Sequence, residues 1–390
     1  MKFILLLILY IIFNIYIIYK IKNWLNNLGI KNNLTKNSFL IIFIIWTTTP
    51  ILTYFLPLSK FQKIINFISN IYIGILFYII IINIIFIIIK LFNKKILKKD
   101  FTIYKTKKKL YIYSLVCILS IFIIMLYGFI HAKDIKIKYY NIDINKQSDI
   151  SNLKIALISD LHLGYNVGYQ MINQMVDKIN DEHVDIVLIA GDIFDNSTIT
   201  VDNIEKVEQS FSELHSEYGT YAILGNHDVN ERLFCGFTVN GNNKRLNYLN
   251  IFFKNSNIKL LDDEILNIGN INIIGRQDYE KNGFNTKRKD IKNLIKNINK
   301  DNPIIVLQHE PLELNELARL NVDLNLSGHT HGGQFFPLTL IKYFNNNFYG
   351  LHRINNMNSV ITSGIGVFGP NIRINSKSEI TIINLKFKNN

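Results

Sequence analysis

The sequence predicts a protein of two parts, an all-α transmembrane region followed by an α/β domain. Roughly the first 130 residues are dominated by Ile, Leu, Phe and Tyr, whereas the remainder has the mixed composition of a soluble domain. Beyond residue 150, short apolar runs alternate with segments of helical periodicity, as is typical of α/β domains. We place the boundary so that residues 1–132 form the anchor and residues 133–390 form the second domain.

Four apolar segments have about the 20 residues that a helix needs to cross a bilayer. They cover residues 3–19, 39–58, 67–89 and 110–130. The first lacks the small-residue cleavage site of a signal peptide, and three further segments follow it. None has an ionisable residue in its interior, so we interpret them as an anchor in the lipid bilayer rather than as an ion path.

Lysine placement predicts the orientation of these spans, because lysine-rich loops stay in the cytoplasm. The loop between the third and fourth spans carries Lys90, Lys94, Lys95, Lys98, Lys99, Lys105, Lys107, Lys108 and Lys109 against a single Asp100. This places everything after Ile130 outside the cytoplasm, in a multi-pass protein of the cell membrane. Much of the net charge of +13 lies beside the spans, so we expect no nucleic-acid partner.

Short runs rich in Ile, Val and Leu predict buried strands in the second domain. The five runs that matter for function are 154–159, 184–190, 220–224, 304–307 and 322–326. A leading strand is predicted over 133–144, and tail strands over 360–363 and 379–387. Apolar residues at helical spacing predict helices near 171–179, 204–214 and 291–298, with Gly219 as the C-terminal cap of the second.

Each of the five strands is followed by a residue able to bind a metal. In chain order these motifs are Asp160-Leu161-His162, Gly191-Asp192 with Asp195, Gly225-Asn226-His227-Asp228, His309 and Gly328-His329-Thr330-His331. Ligand sites in α/β sheets lie outside the carboxyl ends of the strands, so we expect these loops to converge on one crevice. Taken singly, each motif is more often a turn, a chance occurrence or a structural histidine than a metal site, but together they hold five of the nine histidines, which chance does not explain.

The residue types indicate hydrolytic metal chemistry. Imidazole and carboxylate ligands suit manganese, iron or zinc, and Cys117 and Cys235 alone cannot build a cysteine zinc site. Two metals about 3.5–4 Å apart can clamp the attacking and leaving oxygens of a phosphoryl displacement, and a metal-bound water ionises near neutral pH. We therefore expect two divalent metal ions and attack by a metal-bridging hydroxide on a phosphoester or pyrophosphate bond.

These motifs resemble the calcineurin-like metallophosphoesterase superfamily over about residues 150–390. The neighbouring Gln308-His309-Glu310-Pro311 and Gly332-Gly333-Gln334 are similar to its bacterial branch of membrane-associated phosphodiesterases, some of them linked to UDP-diacylglucosamine hydrolysis. The resemblance implies two mixed β-sheets sandwiched between helices. It also implies one metal on Asp160, His162, Asp192 and His331, and another on Asp192, Asn226, His309 and His329, with Asp192 as the bridge.

The same resemblance implies supporting roles for residues that bind no metal. His227 is expected to face the leaving group and to protonate it or steady its charge. Asp228 is expected to orient that imidazole, and Asp195 to support the ligands. Arg373 is a candidate phosphate contact, with a plain surface arginine as the alternative.

The sequence alone leaves several hypotheses about the function open. A membrane anchor favours a lipid-linked or envelope phosphoester substrate. The apolar stretch 335–349 is suited to cradle an acyl chain or touch the bilayer, or else it packs under a loop. The alternative function is a metal-dependent membrane sensor or scaffold without turnover. A cytoplasmic nucleic-acid phosphodiesterase requires the opposite topology.

Overall fold

The computed structural model describes residues 2–96, 98, 106–195, 201–234, 237–245, 248–278, 288–345 and 347–388. Lys99, Asp100, Lys105 and Cys235, which entered the predictions above, lie outside the described residues. The chain divides into two compact units. The first holds residues 1–128 with 232–240 and 369–371, and the second holds residues 129–231, 241–368 and 372–390.

The N-terminal part consists of four long apolar helices, which confirms the four predicted segments. They are α1 (Lys2–Asn27), α2 (Asn33–Phe55), α3 (Lys60–Lys95) and α4 (Lys107–His131). All four are long and apolar enough to cross a membrane. The Asn32 side chain caps α2 by accepting from the Leu34 N–H at 2.8 Å, and the Ser59 side chain caps α3 through the Gln62 N–H at 3.1 Å. The helices associate the chain with a membrane.

Aromatic and polar side chains join these helices inside the first unit. The Tyr10 hydroxyl donates to the Thr47 carbonyl at 2.6 Å, and Tyr72 is buried between its neighbours. The Phe234 ring lies 5.7 Å from the Tyr10 ring and 6.4 Å from the Tyr54 ring. Phe234 therefore packs with the apolar helices.

The second unit is built from mixed sheets and short helices. Its strands are β1 (Ile135–Gln147), β2 (Asn152–Ile158), β3 (Ile186–Ala190), β4 (Thr220–Ile223), β5 (Val229–Phe234), β6 (Phe237–Arg245), β7 (Ile258–Leu260), β8 (Glu264–Ile268), β9 (Ile271–Gly275), β10 (Ile304–Leu307), β11 (Leu324–Ser327), β12 (Gly350–Ile354), β13 (Met357–Ile361) and β14 (Ser378–Lys388). Its helices are α5 (Tyr169–Asp181), α6 (Ile204–Ser212), α7 (Leu249–Asn255), α8 (Ile291–Ile295) and α9 (Leu314–Arg319). The β5–β6 hairpin was not predicted, and it continues from the second unit into the first.

Among the described residues, two six-stranded sheets form the centre of the second unit. One has the order β1-β14-β2-β3-β4-β7 and the other the order β12-β13-β11-β10-β9-β8. β2, β3 and β4 run parallel, as do β9, β10, β11 and β13, whereas β14 pairs antiparallel with β2. Parallel order brings the carboxyl ends of the functional strands to the same edge of each sheet.

The apolar core has three layers, because alternate strand residues face opposite sides of a sheet. Ile155 and Leu157 of β2 pack between the two sheets. Ala156 and Ile158 pack on the outer face against α5, α6 and α7. The outer face of the other sheet is covered by α8 and α9. This arrangement confirms the expected pair of mixed sheets between helices.

One local prediction was wrong. Gly219 does not cap the second predicted helix, because α6 ends at Ser212 and Glu213 is its C-cap. Gly219 instead has a φ of +90° in the turn that leads into β4, a backbone conformation that favours glycine. The boundary at residues 132–133 stays a prediction; α4 ends at His131 and β1 begins at Ile135.

Candidate metal centre

The five predicted loops meet across the gap between the two sheets. The loops after β2, β3 and β4 come from one sheet, and those after β10 and β11 come from the other. Backbone hydrogen bonds tie neighbouring loops together, for example from the Asp160 N–H to the Gly191 carbonyl at 3.0 Å and from the Gly328 N–H to the His309 carbonyl at 3.0 Å. The expected convergence on one crevice is therefore present in the fold.

A first cluster consists of Asp160, His162 and His331. Their ligand atoms all lie within 4.8 Å of one another, and all three residues are buried. The His162 and His331 Nε2 atoms face each other at 3.1 Å. The other ring nitrogen of His162 donates to Asp195 Oδ1 at 2.7 Å, an arrangement that fixes the ring orientation of metal-binding histidines.

A second cluster consists of Asp192, His309 and His329, whose ligand atoms also lie within 4.8 Å of one another. Asn226 joins it, with Oδ1 3.1 Å from His309 Nε2 and 3.1 Å from His329 Nδ1. His309 Nδ1 donates to the Ala190 carbonyl at 2.7 Å. The His329 side chain is 38% exposed, so this cluster is open on one side.

Asp192 lies between the clusters. Its Oδ2 is 3.1 Å from His309 Nε2 in the second cluster and 3.9 Å from His162 Nε2 in the first. Its Oδ1 accepts from the His227 N–H at 2.8 Å, which orients the carboxylate. The seven residues predicted as ligands are thus brought together, and Asp192 has the position expected of a bridge.

The donor set fits divalent metals. Asp160 Oδ1 and His331 Nδ1 are buried without a hydrogen-bond partner, and Asp160 Oδ1 lies 3.5 Å from His331 Nε2. A buried carboxylate oxygen is costly unless it is hydrogen-bonded or binds a cation. Two glycines allow the close approach: a Cβ at Gly225 would lie 2.3 Å from Asp192 Oδ1, and one at Gly328 would lie 1.9 Å from Ser159 Oγ.

Backbone conformation also marks this region. Asp160, His162, Asp192, His329 and His331 all have positive φ, between 48° and 72°. A non-glycine residue held there costs roughly 1–3 kcal/mol, and such residues cluster at functional sites. The strain at five of the seven predicted ligands supports a functional constraint on these loops.

The electrostatics differ from one histidine to the next. Burial lowers the pKa of His162, but the Asp195, Asp192 and Asp160 carboxylates outweigh it and raise that pKa to about 9. Burial also lowers the pKa of His309, and Asp192 reverses this and raises it well above its ordinary value. Burial and the neighbouring His309 lower the pKa of His329 to about 4.

His227 lies beside the first cluster but is not grouped with either set of ligands. Its ring centroid is 5.4 Å from that of His162 and 4.4 Å from that of Phe368. The Phe368 backbone is clamped by the Gln334 side chain, which accepts from the Phe368 N–H and donates to its carbonyl, both at 2.9 Å. Sequence reasoning missed Phe368 as a contact of His227, because it lies more than 140 residues away in a glycine-rich segment.

Asp228 and Arg373 both hold backbone near the candidate ligands, and Arg373 differs from expectation. The Asp228 carboxylate accepts from the Ile193, Phe194 and Gly225 N–H groups at 2.8–2.9 Å, so it joins two loops through their backbone. Arg373 is neither a phosphate contact nor a surface residue. It is fully buried and donates to the carbonyls of His331, Ser363, Gly364 and Gly366. Arg373 therefore fixes the backbone behind the first cluster.

Two mixed sheets between helices, with histidines and aspartates on the loops at their carboxyl ends, define an α/β protein with a candidate metal centre. The family model for calcineurin-like phosphoesterases matches residues 153–333, a range that includes all seven predicted ligands. The chain belongs to this family. This confirms the resemblance drawn from the motifs.

Relatives with the same domain occur in bacteria and animals. The chain is 32% identical over 251 residues to metallophosphoesterase Cj0846 of Campylobacter jejuni, covering 64% of this chain and 63% of that protein. It is 30% identical over 270 residues to YkoQ of Bacillus subtilis, covering 64% of this chain and 90% of YkoQ. It is 30% identical over 273 residues to a transmembrane protein with a metallophosphoesterase domain from Danio rerio. That match covers 68% of this chain and 60% of the Danio rerio protein.

Proposed function

We propose that this protein is a membrane-anchored phosphoesterase with two divalent metals, one on each cluster, that hydrolyses a phosphoester or pyrophosphate bond of a lipid-linked or envelope substrate. The observation that carries the proposal is the position of Asp192, whose Oδ2 approaches His309 at 3.1 Å and His162 at 3.9 Å. One carboxylate within reach of two donor clusters is the arrangement that a pair of bridged cations requires.

The residues would divide between the metals as the clusters indicate. Asp160, His162 and His331 would hold one ion and Asn226, His309 and His329 the other, with Asp192 shared. Bound there, manganese, iron or zinc would polarise the phosphoryl oxygens and lower the pKa of water. The ligand set contains only two carboxylates, so the loaded centre keeps a net positive charge that attracts a phosphate group.

His227 would act on the leaving group. Its backbone N–H is held by Asp192 Oδ1 and its ring packs against Phe368, so the imidazole is oriented without being a ligand. From this position it would donate a proton to the departing oxygen or steady its charge. Phe368 would keep the ring in place and exclude water from one of its faces.

The membrane part limits the choice of substrate. The apolar helices α1–α4 favour substrates that reside in or near a bilayer. The lysine-rich loop between α3 and α4 favours a cytoplasmic location for that loop, and hence an extracytoplasmic catalytic unit at the cell membrane. A reporter fused after Asn390 should then behave as extracytoplasmic, whereas a reporter placed near Lys99 should behave as cytoplasmic.

The experiment that tests the function is turnover by the purified full-length protein loaded in turn with Mn²⁺, Fe²⁺ or Zn²⁺. Substrates should include a chromogenic phosphodiester, nucleotide phosphoesters and lipid-linked phosphoesters or pyrophosphates. We expect turnover with about two ions per chain and a preference for lipid-linked substrates. Tight metal binding without turnover of any substrate would favour the alternative function, a metal-dependent membrane sensor or scaffold.

A further inference from the structure

Directly after the last metal motif, the chain exposes a run of large apolar side chains. Residues Leu338–Tyr343 form a short 3-10 segment. Its exposed apolar side chains, with Phe344, are called the apolar ridge: Leu338, Leu340, Ile341, Tyr343 and Phe344. Tyr343 is 70% and Phe344 88% exposed. The sequence left open whether this stretch packs under a loop, and these exposures argue against it.

Isolated exposed apolar residues are ordinary on protein surfaces, whereas contiguous ones mark contact sites. Elsewhere on the strands and short helices of the second unit that the structure describes, the exposed large apolar residues lie singly: Tyr139 on β1, Ile251 on α7, Ile265 on β8 and Leu351 on β12. The ridge places five such side chains within seven consecutive residues. Its composition of Leu, Ile, Phe and Tyr around one lysine matches segments that lie in the membrane interface.

The backbone of the ridge is already hydrogen-bonded. The Leu338, Leu340 and Phe344 N–H groups donate to carbonyls three residues earlier at 2.9–3.0 Å. Thr339 is fully buried beneath the ridge, and its hydroxyl accepts from Asn375 Nδ2 at 3.2 Å. A segment with satisfied N–H groups can enter the acyl boundary without stranding polar groups.

We propose that the apolar ridge docks into the headgroup layer of a phospholipid bilayer, as a membrane contact additional to the four apolar helices. The chain itself indicates a bilayer as the binding partner of the ridge, because a short link joins the second unit to an apolar helix. That helix, α4, ends at His131, and β1 begins at Ile135. Three linking residues span at most about 11 Å, so β1 begins within the headgroup region of any membrane that α4 crosses.

The polar groups of the ridge suit that occupant. Lys342 Nζ lies 5.3 Å from the centroid of the Tyr343 ring. In this arrangement the lysine can extend its ammonium to an anionic headgroup while its neighbours enter the apolar layer. Six residues separate His331 from Leu338, the first residue of the ridge. Docking would therefore hold the loop that carries His329 and His331 at the lipid surface, a consequence that rests on the proposed function.

Fluorescence quenching in vesicles tests the docking without using activity. Full-length protein carrying Cys117→Ala and Cys235→Ser would receive one new cysteine, Phe344→Cys or Tyr343→Cys, labelled with an environment-sensitive dye. Ile251→Cys and Ile265→Cys are matched controls at exposed apolar positions. Each protein would be reconstituted in phosphatidylcholine–phosphatidylglycerol vesicles and exposed to nitroxide-labelled lipid or to aqueous iodide.

We expect nitroxide lipid to quench the ridge labels and iodide to quench them several-fold less than the control labels. Ridge labels that match the controls with both quenchers would overturn the proposal. The proposal would also be overturned if the ridge labels stayed shielded from iodide in detergent without lipid and this shielding rose with protein concentration. That result would mean that a second copy of the protein covers the ridge.

A second measurement separates the docking from the proposed function. Phe344→Asp combined with Leu340→Asp should lower the hydrolysis of a phosphoester embedded in vesicles about tenfold or more, and should leave a soluble phosphodiester unaffected. Ile265→Asp should change neither. Equal loss on both substrates would contradict docking, whereas absence of turnover by the wild type would contradict the proposed function and leave the quenching result standing.

Discussion

The two metal clusters use the same kinds of donor but are supported differently. In the first, His162 donates to the Asp195 carboxylate, and Arg373 fixes the carbonyl of His331. In the second, His309 donates to a neutral backbone carbonyl, and His329 is more than a third exposed. Carboxylate support raises the basicity of an imidazole ligand. We therefore expect the first cluster to hold its metal firmly and the second to exchange its metal and face the substrate.

The largest effect should follow from removing what the clusters share. Asp192→Asn replaces the carboxylate that approaches both sets of donors by a neutral amide that bridges cations poorly. Hydrolysis should fall to the level of the chelator-treated protein, and metal analysis should show that both ions are weakened. Asp192→Ala should behave in the same way. Full activity of Asp192→Ala protein without bound metal would contradict the shared bridge.

His227 tests whether a residue beside the first cluster acts without belonging to it. His227→Gln should keep both metals and lose about 10²–10⁴-fold in rate on esters with poor leaving groups, which need a proton. The loss should be much smaller on nitrophenyl esters, which do not. His215→Gln, at an exposed histidine, is the control and should change neither rate. Equal losses on both kinds of ester would indicate that His227 binds phosphate or metal instead.

Asp195 distinguishes the clusters directly, because it supports His162 and not His309. Asp195→Asn keeps the shape of the side chain but removes its charge, so metal affinity or activity should fall about 10–100-fold. The weakened ion should be the one on the first cluster. Titrating metal into chelator-treated protein should then show one affinity changed and the other preserved. Equal weakening of both ions would remove the distinction between the clusters.

The sequence predicted the strands that carry the site well. Short Ile- and Val-rich runs bounded by polar loops are typical of buried strands. The predicted strand 304–307 coincides with β10. The order of strands within the sheets could not be predicted. β14 lies between β1 and β2, and it pairs with residues more than 200 positions away in the sequence. The β5–β6 hairpin was missed because its asparagine-rich sequence has no strong alternation of apolar and polar residues.

The candidate ligands could be named from their motifs, but the residues that support them could not. The sequence predicted that Arg373 is either a surface residue or a phosphate contact. Only the fold shows that it is buried and donates to four backbone carbonyls. Phe368 contacts His227 through a turn clamped by Gln334. Contacts of this kind depend on which loops meet in space, and local sequence patterns carry no such information.

The smallest and most specific effect is the number of protons that metal binding releases. The nearby carboxylates raise the pKa of His162 to about 9 and that of His309 well above its ordinary value. In chelator-treated protein these shifts favour the protonated form of both imidazoles near neutral pH, and each must become neutral to bind a metal. Loading should release about two protons per chain from these imidazoles, in addition to the proton of any metal-bound water that ionises, and affinity should fall as the pH is lowered from 9 to 6.

Asp195→Asn sharpens this measurement, because the amide no longer stabilises the His162 imidazolium. The pKa of His162 should drop, so loading of the first cluster should release fewer protons while loading of the second is unchanged. Calorimetric titration with Mn²⁺ in two buffers of different ionisation enthalpy measures the proton count for each ion. Release of the same number of protons by wild type and Asp195→Asn would mean that Asp195 does not set the charge of His162, and the electrostatic difference between the clusters would be lost.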